Sequence, residues 1–452
     1  MKRGITDLTA FSELDRNRVG QLLEKAIRLM VMLLPVLLLF GIHAVFIKIQ
    51  YIGFITAQNI YGWLIAILTA VYFIVIRRFT VHLGRAFWFS AFLLIMLAYA
   101  LISIIWVINK GSSFDDFVYQ FSGVGAALYM VAVFRNLDDL KNFLRVLTVC
   151  YIIIVAISVF EIYTGIYFFQ PSPLSSTLRD EYGFNFPYTV FYNTNDNASF
   201  LAMFSPFAVF TLINWAKGLT GKVAGVILSV MAFFALIAGR ARNSFLTIIC
   251  FLAVLLIVCI AKKSLRKYAK TLAAIFFSLP LAVVLITVTA YKRGSILTKI
   301  STINSSDHSI GERFEMTLGG LRMAAAYHFL GVGVGNSVPL MPYFSSLSPI
   351  NLHDMPLQIF VEYGIIIFVL YVAATVFLAR DFLKFRSESD KQELFSLLCF
   401  LTILAFQVVG LQSSDSMHIL ALWLLFGIWL SAEKLFYKER DNLPLWIPHW
   451  LK

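Results

Sequence analysis

The sequence predicts an all-α integral membrane protein: a bundle of about twelve transmembrane helices with a large extracytoplasmic loop that itself contains helices. Three observations predict it. Of 452 residues, 60% are hydrophobic and 14% are charged, against roughly 25% charged in an average soluble domain. The mean hydropathy is +0.81, and Phe alone supplies 43 residues. The apolar residues gather in runs long enough for a hydrocarbon core of about 30 Å, which takes about 20 helical residues. Together these exclude a soluble globular enzyme and a disordered chain. The net charge of +12 does not point to nucleic acid, because the basic residues lie between apolar runs and form no continuous basic face.

The runs place spans at 28–47, 55–76, 87–109, 117–134, 143–167, 197–216, 222–239, 243–261, 271–291, 357–379, 394–411 and 417–436. The fourth is the weakest, diluted by Gly123 and Gly125. Residues 1–25 are too polar for a signal peptide. The stretch around Leu22, Leu23, Ile27 and Met30 predicts an interfacial amphipathic helix at the start of the first span.

Charge sets the orientation. With a cytoplasmic N-terminus, the two tails and the even-numbered loops hold 27 of the 37 Lys and Arg residues, and the odd-numbered loops hold 10. The excess of basic residues on one side predicts cytoplasmic termini. Two long connections, 168–196 and 292–356, then fall outside. Loops of that length usually carry function, and 292–356 is the expected catalytic loop. The chain reads as one polytopic membrane domain, 1–452, without a transporter-type internal repeat. Cys150, Cys250, Cys259 and Cys399 sit in or beside apolar runs at spacings that suit neither a disulfide framework nor zinc.

Several residues carry candidate chemistry. Arg240 and Arg242 sit in a short outer connection, Gly239-Arg-Ala-Arg-Asn-Ser244. Two readings apply: snorkelling to outer headgroups, or a guanidinium fork for a phosphate or diphosphate. Ser309-Ile-Gly-Glu312-Arg313-Phe314 predicts a helix start, with Ser309 as N-cap, Glu312 completing a capping box and Arg313 in the first turn. An Arg there opposes the helix dipole, and a nearby anion would offset it. Met316, Leu318, Leu321, Met323 and Ala324 form the expected apolar face. Gly331, Gly333 and Gly335 suit a tight turn back to the membrane better than a phosphate nest, since no dinucleotide-binding unit surrounds them. His353 and Asp354 stand just before Pro356 at the start of the tenth span. A lone interfacial His is by default a polar anchor; a His beside an Asp and several outer arginines suits acid–base work near neutral pH. Glu362, Glu161 and Gln407 lie inside spans, where a polar group calls for a reason.

In this order the motifs resemble the O-antigen ligase and polymerase family, which includes teichuronic-acid and capsule polymerases. Tyr192-Asn-Thr-Asn195-Asp-Asn-Ala198 is similar to its Asn-Pro-Asn segment, and Gly239-Arg-Ala-Arg242-Asn-Ser to its Ser-Arg-Gly turn. Gly311-Glu-Arg313 with Leu330-Gly-Val-Gly-Val-Gly-Asn336 resembles its Ser-Arg…Gly-Val-Gly-x-Gly-Asn stretch. His353-Asp354, nine residues, then Gly364 looks like its His-Asn/Ser/Gln-x9-Gly signature. Thr194, Ala241 and Asp354 depart from the usual Pro, Ser and Asn, Ser or Gln.

The resemblance implies an inverting glycosyltransferase of the bacterial inner membrane, with its active site on the extracytoplasmic face and no metal or other cofactor. It would move a glycan from undecaprenyl diphosphate to a sugar hydroxyl on a lipid-bound or glycan acceptor, by ligation to lipid A–core or by polymerisation of repeat units. Arg242 and Arg313, with Arg240, would hold the diphosphate, and His353 would act on the acceptor hydroxyl. Glu312, Asp354 and Asn195 would support them. Membrane lipids are expected partners, nucleic acid is not, and a chain-length regulator is compatible. The competing readings are a transporter or flippase of a lipid-linked envelope glycan, and a non-catalytic scaffold. The first outer loop has no Asp-x-Asp, which argues against the metal-dependent membrane glycosyltransferases.

Overall fold

The computed structural model describes residues 3–41, 45–49, 53–76, 83–169, 185–191, 193–215, 218–292, 308–348, 350–411 and 416–437. Helices dominate it: α1 (Arg3–Leu33), α2 (Ala57–Ile76), α3 (Phe87–Ser103), α4 (Lys110–Val133), α5 (Leu137–Thr164), α6 (Thr194–Trp215), α7 (Leu219–Ala238), α8 (Arg242–Ala261), α9 (Arg266–Lys292), α10 (His308–Ala326), α11 (Ser337–Phe344), α12 (Gly364–Lys384), α13 (Asp390–Val409) and α14 (Leu420–Tyr437). A turn of α-helix, Met355–Gln358, and a π-helical turn, Ile359–Tyr363, lead into α12. An antiparallel hairpin pairs β1 (Val45–Ile49) with β2 (Gly53–Thr56). Eleven described helical segments are long and apolar enough to cross a membrane, as a multi-pass membrane protein requires.

The first expected span, 28–47, is not one of the eleven. α1 stops at Leu33, a 3-10 turn covers Leu34–Phe40, and Gly41 ends it at φ +71°. Pro35 explains the break: it has no N–H to donate, and its ring would clash with the Val31 carbonyl of a continuing α-helix. The segment still joins the two ends of the bundle. Arg28 lies 3.7 Å from Asp139 at the start of α5, while a Cβ on Gly41 would meet the Val190 carbonyl at 2.8 Å, just past the far end of α5. A 3-10 helix rises about 2.0 Å per residue against about 1.5 Å for an α-helix, so a short stretch covers the depth.

The fourth span is weak in hydropathy because it is a packing surface. Gly123 lies against the Trp423 indole, too close for any Cβ, and Gly427 lies against Met130. Small residues let membrane helices approach closely. α14 is thereby the central helix, buried along almost its whole length.

The two ends of the bundle differ. At one, Arg85 pairs with Asp381 at 3.3 Å, Arg135 with Glu24 at 2.7 Å, Lys262 with Glu393 at 2.8 Å and Lys267 with Asp390 at 2.6 Å. Lys434 of α14 donates to the Phe134 carbonyl at this end, so Glu24 and Tyr437 share it. The opposite end is capped by α10, α11 and the approach to α12. They share a small apolar core that includes Met323, Ala324, Val332, Met341, Leu352 and Val361.

Candidate functional site

The capped end is built from strained turns. Arg240 and His353 have φ of +54° and +50°, left-handed values that cost a non-glycine residue about 1–3 kcal/mol and persist only where the surroundings enforce them. At the first turn, the Arg240 N–H donates to the Ile237 carbonyl at 3.0 Å, and the Arg242 N–H to the Arg240 carbonyl at 2.9 Å. Ala241 is buried while both arginines are exposed. The turn lies beside the first residue of α6: a Cβ on Gly239 would be 3.8 Å from the Thr194 carbonyl.

Two residues along α6, buried Asp196 lines a narrow cleft of about 40 Å³, with Phe406, Val409 and Gly410 of the α13 end and Ile419 and Leu422 of the α14 start. The Gly410 carbonyl on the opposite wall accepts the Met355 N–H at 3.3 Å. Met355 follows His353-Asp354 directly. Residues next to the arginine turn and the His353 turn thus meet opposite walls of a cleft between α6, α13 and α14, although neither arginine nor His353 itself lines it.

Asp354 is a helix cap. Its Oδ1 accepts the Leu357 N–H at 3.0 Å, and Pro356 occupies the first turn. Burial raises the Asp354 carboxyl above its ordinary pKa, and the Leu357 hydrogen bond opposes that rise. The Asn and Ser usual at this position in the motif are also good N-caps. Gly364 has a comparable reason: its φ is +80°, and a Cβ would sit 2.5 Å from the Leu330 carbonyl carbon.

The three-glycine stretch packs backbone on backbone. The π-helical turn leaves carbonyls for it: Val332 and Gly333 N–H donate to the Val361 and Glu362 carbonyls at 2.9 and 3.0 Å. Gly331 has no room for a Cβ beside Tyr99, and at Gly335 one would lie 2.7 Å from an Asp116 oxygen. These glycines form a close turn against the π-helical turn and the neighbouring ends of α3 and α4.

The other expected residues divide. Arg313 is half-buried in the second turn of α10, because the helix opens at His308 and Ser309 lies inside it, so Ser309 is not the N-cap and Arg313 is not in the first turn. Arg313 shares a helix face with Gly320, two turns further along, where a Cβ would meet Leu352 at 3.0 Å. Glu312 is exposed on α10, and the buried side of that helix holds Met316, Gly319, Gly320, Met323 and Ala324, with Leu321 44% exposed. Asn195 is half-buried, its N–H donating to the Asn193 side chain at 2.7 Å. Tyr192 and most of 168–196 lie outside the described residues. The intramembrane groups are structural ties. Glu161 accepts the Tyr188 and Thr189 N–H groups at 2.8 Å each. Gln407 accepts the Tyr371 hydroxyl at 2.8 Å. Glu362 accepts from Ser337 at 2.6 Å and from Gln358 at 3.2 Å.

One cluster escaped the sequence reading. His418 Nε2 lies 2.7 Å from Asp116 Oδ1, under the Tyr119 ring at 4.6 Å between centroids. Beside it the Tyr363 hydroxyl donates to Gln120 at 2.5 Å. The signal was Asp116, Tyr119 and Gln120 at i, i+3 and i+4, one polar face in an otherwise apolar run; starting the fourth span at 117 hid it.

Comparison with known proteins bears on this end of the molecule. Residues 227–372 match the O-antigen ligase family, a stretch that holds Arg240, Arg242, Arg313, His353 and Gly364. About a third of the chain thus resembles the O-antigen ligase family. It is also similar to the teichuronic acid biosynthesis protein TuaE of Bacillus subtilis (strain 168), 23% identical over 372 residues that cover 79% of this chain and 72% of that protein. The matched stretch holds the arginine turn and the His353 turn, while the residues that line the cleft, from α6, the α13 end and α14, all lie outside it.

Proposed function

We propose that this chain is an inverting glycosyltransferase that moves a glycan from undecaprenyl diphosphate to a sugar hydroxyl. The observation that carries the reading is that the Arg240–Arg242 turn and the His353 turn both reach one cleft through their neighbours: Gly239 lies beside Thr194 of α6, and the Met355 N–H donates to the Gly410 carbonyl on the opposite wall. Arg242 and Arg240, with Arg313 from the overlying helix, hold the diphosphate through bidentate hydrogen bonds. His353 accepts the proton of the acceptor hydroxyl as its oxygen forms the bond to the anomeric carbon. The bond from that carbon to the diphosphate oxygen breaks in line, and its electron pair leaves on undecaprenyl diphosphate. The arginines stabilise the departing charge at a low-dielectric boundary. Asp354 fixes the His353 turn by capping the helix that follows. No step here calls on a metal. The basic asymmetry of the loops supports an extracytoplasmic His353 end in a bacterial inner membrane, with both termini cytoplasmic.

The likeness to a teichuronic acid biosynthesis protein favours growth of an envelope polysaccharide over ligation to lipid A–core. The transporter reading has less support, because Glu161, Glu362 and Gln407 are each held by structural hydrogen bonds. The test is incubation of purified protein with a defined undecaprenyl-diphosphate glycan and candidate acceptors. Lengthened carrier-linked glycan indicates a polymerase, and glycosylated lipid A–core a ligase. Movement of intact donor across a vesicle membrane without transfer would refute both.

A further inference from the structure

At the end of the bundle away from His353 lies a cavity of about 510 Å³. It forms because α2 packs on α1 and α4, while α3 packs on α4 and α12. Gly62 and Ala66 of α2, Leu94 and Leu97 of α3, and Gly125 and Ala132 of α4 line the groove between them. Along α4 it runs from Phe121 to Arg135, about 20 Å at 1.5 Å per residue. That exceeds the roughly 15 Å depth of one leaflet's hydrocarbon.

Two further observations point to a ligand. Ser90 and Ser122 line the groove, are 0% and 4% exposed, and their hydroxyls have no hydrogen-bond partner among the described residues. Other hydroxyls in the bundle bond back to a carbonyl one turn earlier, as Thr69 of α2, Ser103 of α3 and Thr148 and Ser158 of α5 do. A buried hydroxyl left unpaired is costly, so a ligand oxygen at that depth is favoured. Ser90 lies in the first turn of α3, just below the groove's mouth. Glu24, Arg28 and Arg135 form that mouth. The two guanidinia share Glu24, at 4.0 and 2.7 Å, and Arg28 also lies 3.7 Å from Asp139. The Arg135 side chain is 57% exposed. Planar arginine donors suit phosphate, and an apolar groove at hydrocarbon depth gains dispersion contacts from a chain that fills it.

We propose that this groove binds a membrane phospholipid. One acyl chain lies between α2 and α3, its ester carbonyl reaches Ser90, and its phosphate meets Arg28 and Arg135. The site is separate from the transfer cleft and does not depend on the proposed reaction.

The test uses the full chain in phosphatidylglycerol nanodiscs doped with a phospholipid carrying a diazirine at one chain end. After illumination, adducts are mapped by mass spectrometry. They should concentrate on the α2 and α4 residues of the groove, and excess unlabelled phosphatidylglycerol should suppress them more than adducts on exposed Phe277 of α9. Gly125→Leu fills the groove where a new Cβ meets only Tyr129, at 3.6 Å. It should reduce groove adducts by about tenfold, one decade of affinity, and Ala132→Phe should do the same. Labelling spread evenly over the lipid-facing surface, or unchanged in both variants, would overturn the proposal. So would stronger labelling of the same residues by a diazirine polyprenyl phosphate, which would assign the groove to the carrier lipid.

Discussion

His418 Nε2 and Asp116 Oδ1 lie 2.7 Å apart, although 302 residues separate them in sequence. The pair ties the start of α4 to the segment that leads into α14, on the same side of the bundle as the His353 cleft. It couples the central helix to the loops that carry the candidate site.

Removing one member leaves the other with an unmet polar demand, which costs about 1–3 kcal/mol in a buried setting. His418→Ala and Asp116→Asn should therefore each destabilise the protein. A double-mutant cycle in thermal or denaturant unfolding should give a coupling of about 0.5–3 kcal/mol, the range for residues in direct contact. Additive losses would mean that the pair contributes no linkage.

Asp354 gives a pH prediction. Burial raises its pKa from the ordinary 3.8, so the fold favours the protonated carboxyl. Any stability from that preference is fully present below the unfolded pKa of about 3.9 and is lost as pH rises through the folded value. Asn is neutral at every pH and caps helices as well as Asp does. Asp354→Asn should thus be at least as stable as wild type at pH 8, with the difference shrinking toward pH 4, and it should keep most of its activity. Melting curves at both pH values check this; a variant clearly less stable at pH 8 would show that the charge itself is needed.

Arg242→Lys and Arg313→Lys keep the charge but lose the planar fork, so each should lose most transferase activity. Initial rates with a defined donor provide the check. Near-normal turnover in both would leave snorkelling as the explanation for these arginines.

The orientation is open to a direct probe. A topology reporter inserted near Ser345, on the α11 side of the molecule, should behave as extracytoplasmic. A cytoplasmic signal would invert the topology and the site with it.

The helical spans were legible because their apolar runs match the depth of a bilayer. The break at Pro35 was less so, since hydropathy does not report whether an apolar run is α or 3-10. Gly123 lowered the signal of the fourth span for a reason visible only in three dimensions, the indole of Trp423. At the site, His353, Arg240 and Arg242 could be nominated from local chemistry. Asp354 could be nominated as a supporting residue, but that its carboxylate accepts the Leu357 N–H is a backbone relationship that residue type does not encode. The His418–Asp116 contact depends on packing between distant helices, and a single sequence carries no trace of such pairing.

The central claim is that His353 serves the transfer step while the arginines hold the donor. The most direct test measures donor binding and turnover side by side in purified His353→Ala. Donor affinity should stay near wild type, and turnover should fall by about 10²–10⁴-fold, the usual contribution of a general base. If affinity and turnover fall together, His353 is a binding or structural residue, and the account of the reaction is wrong.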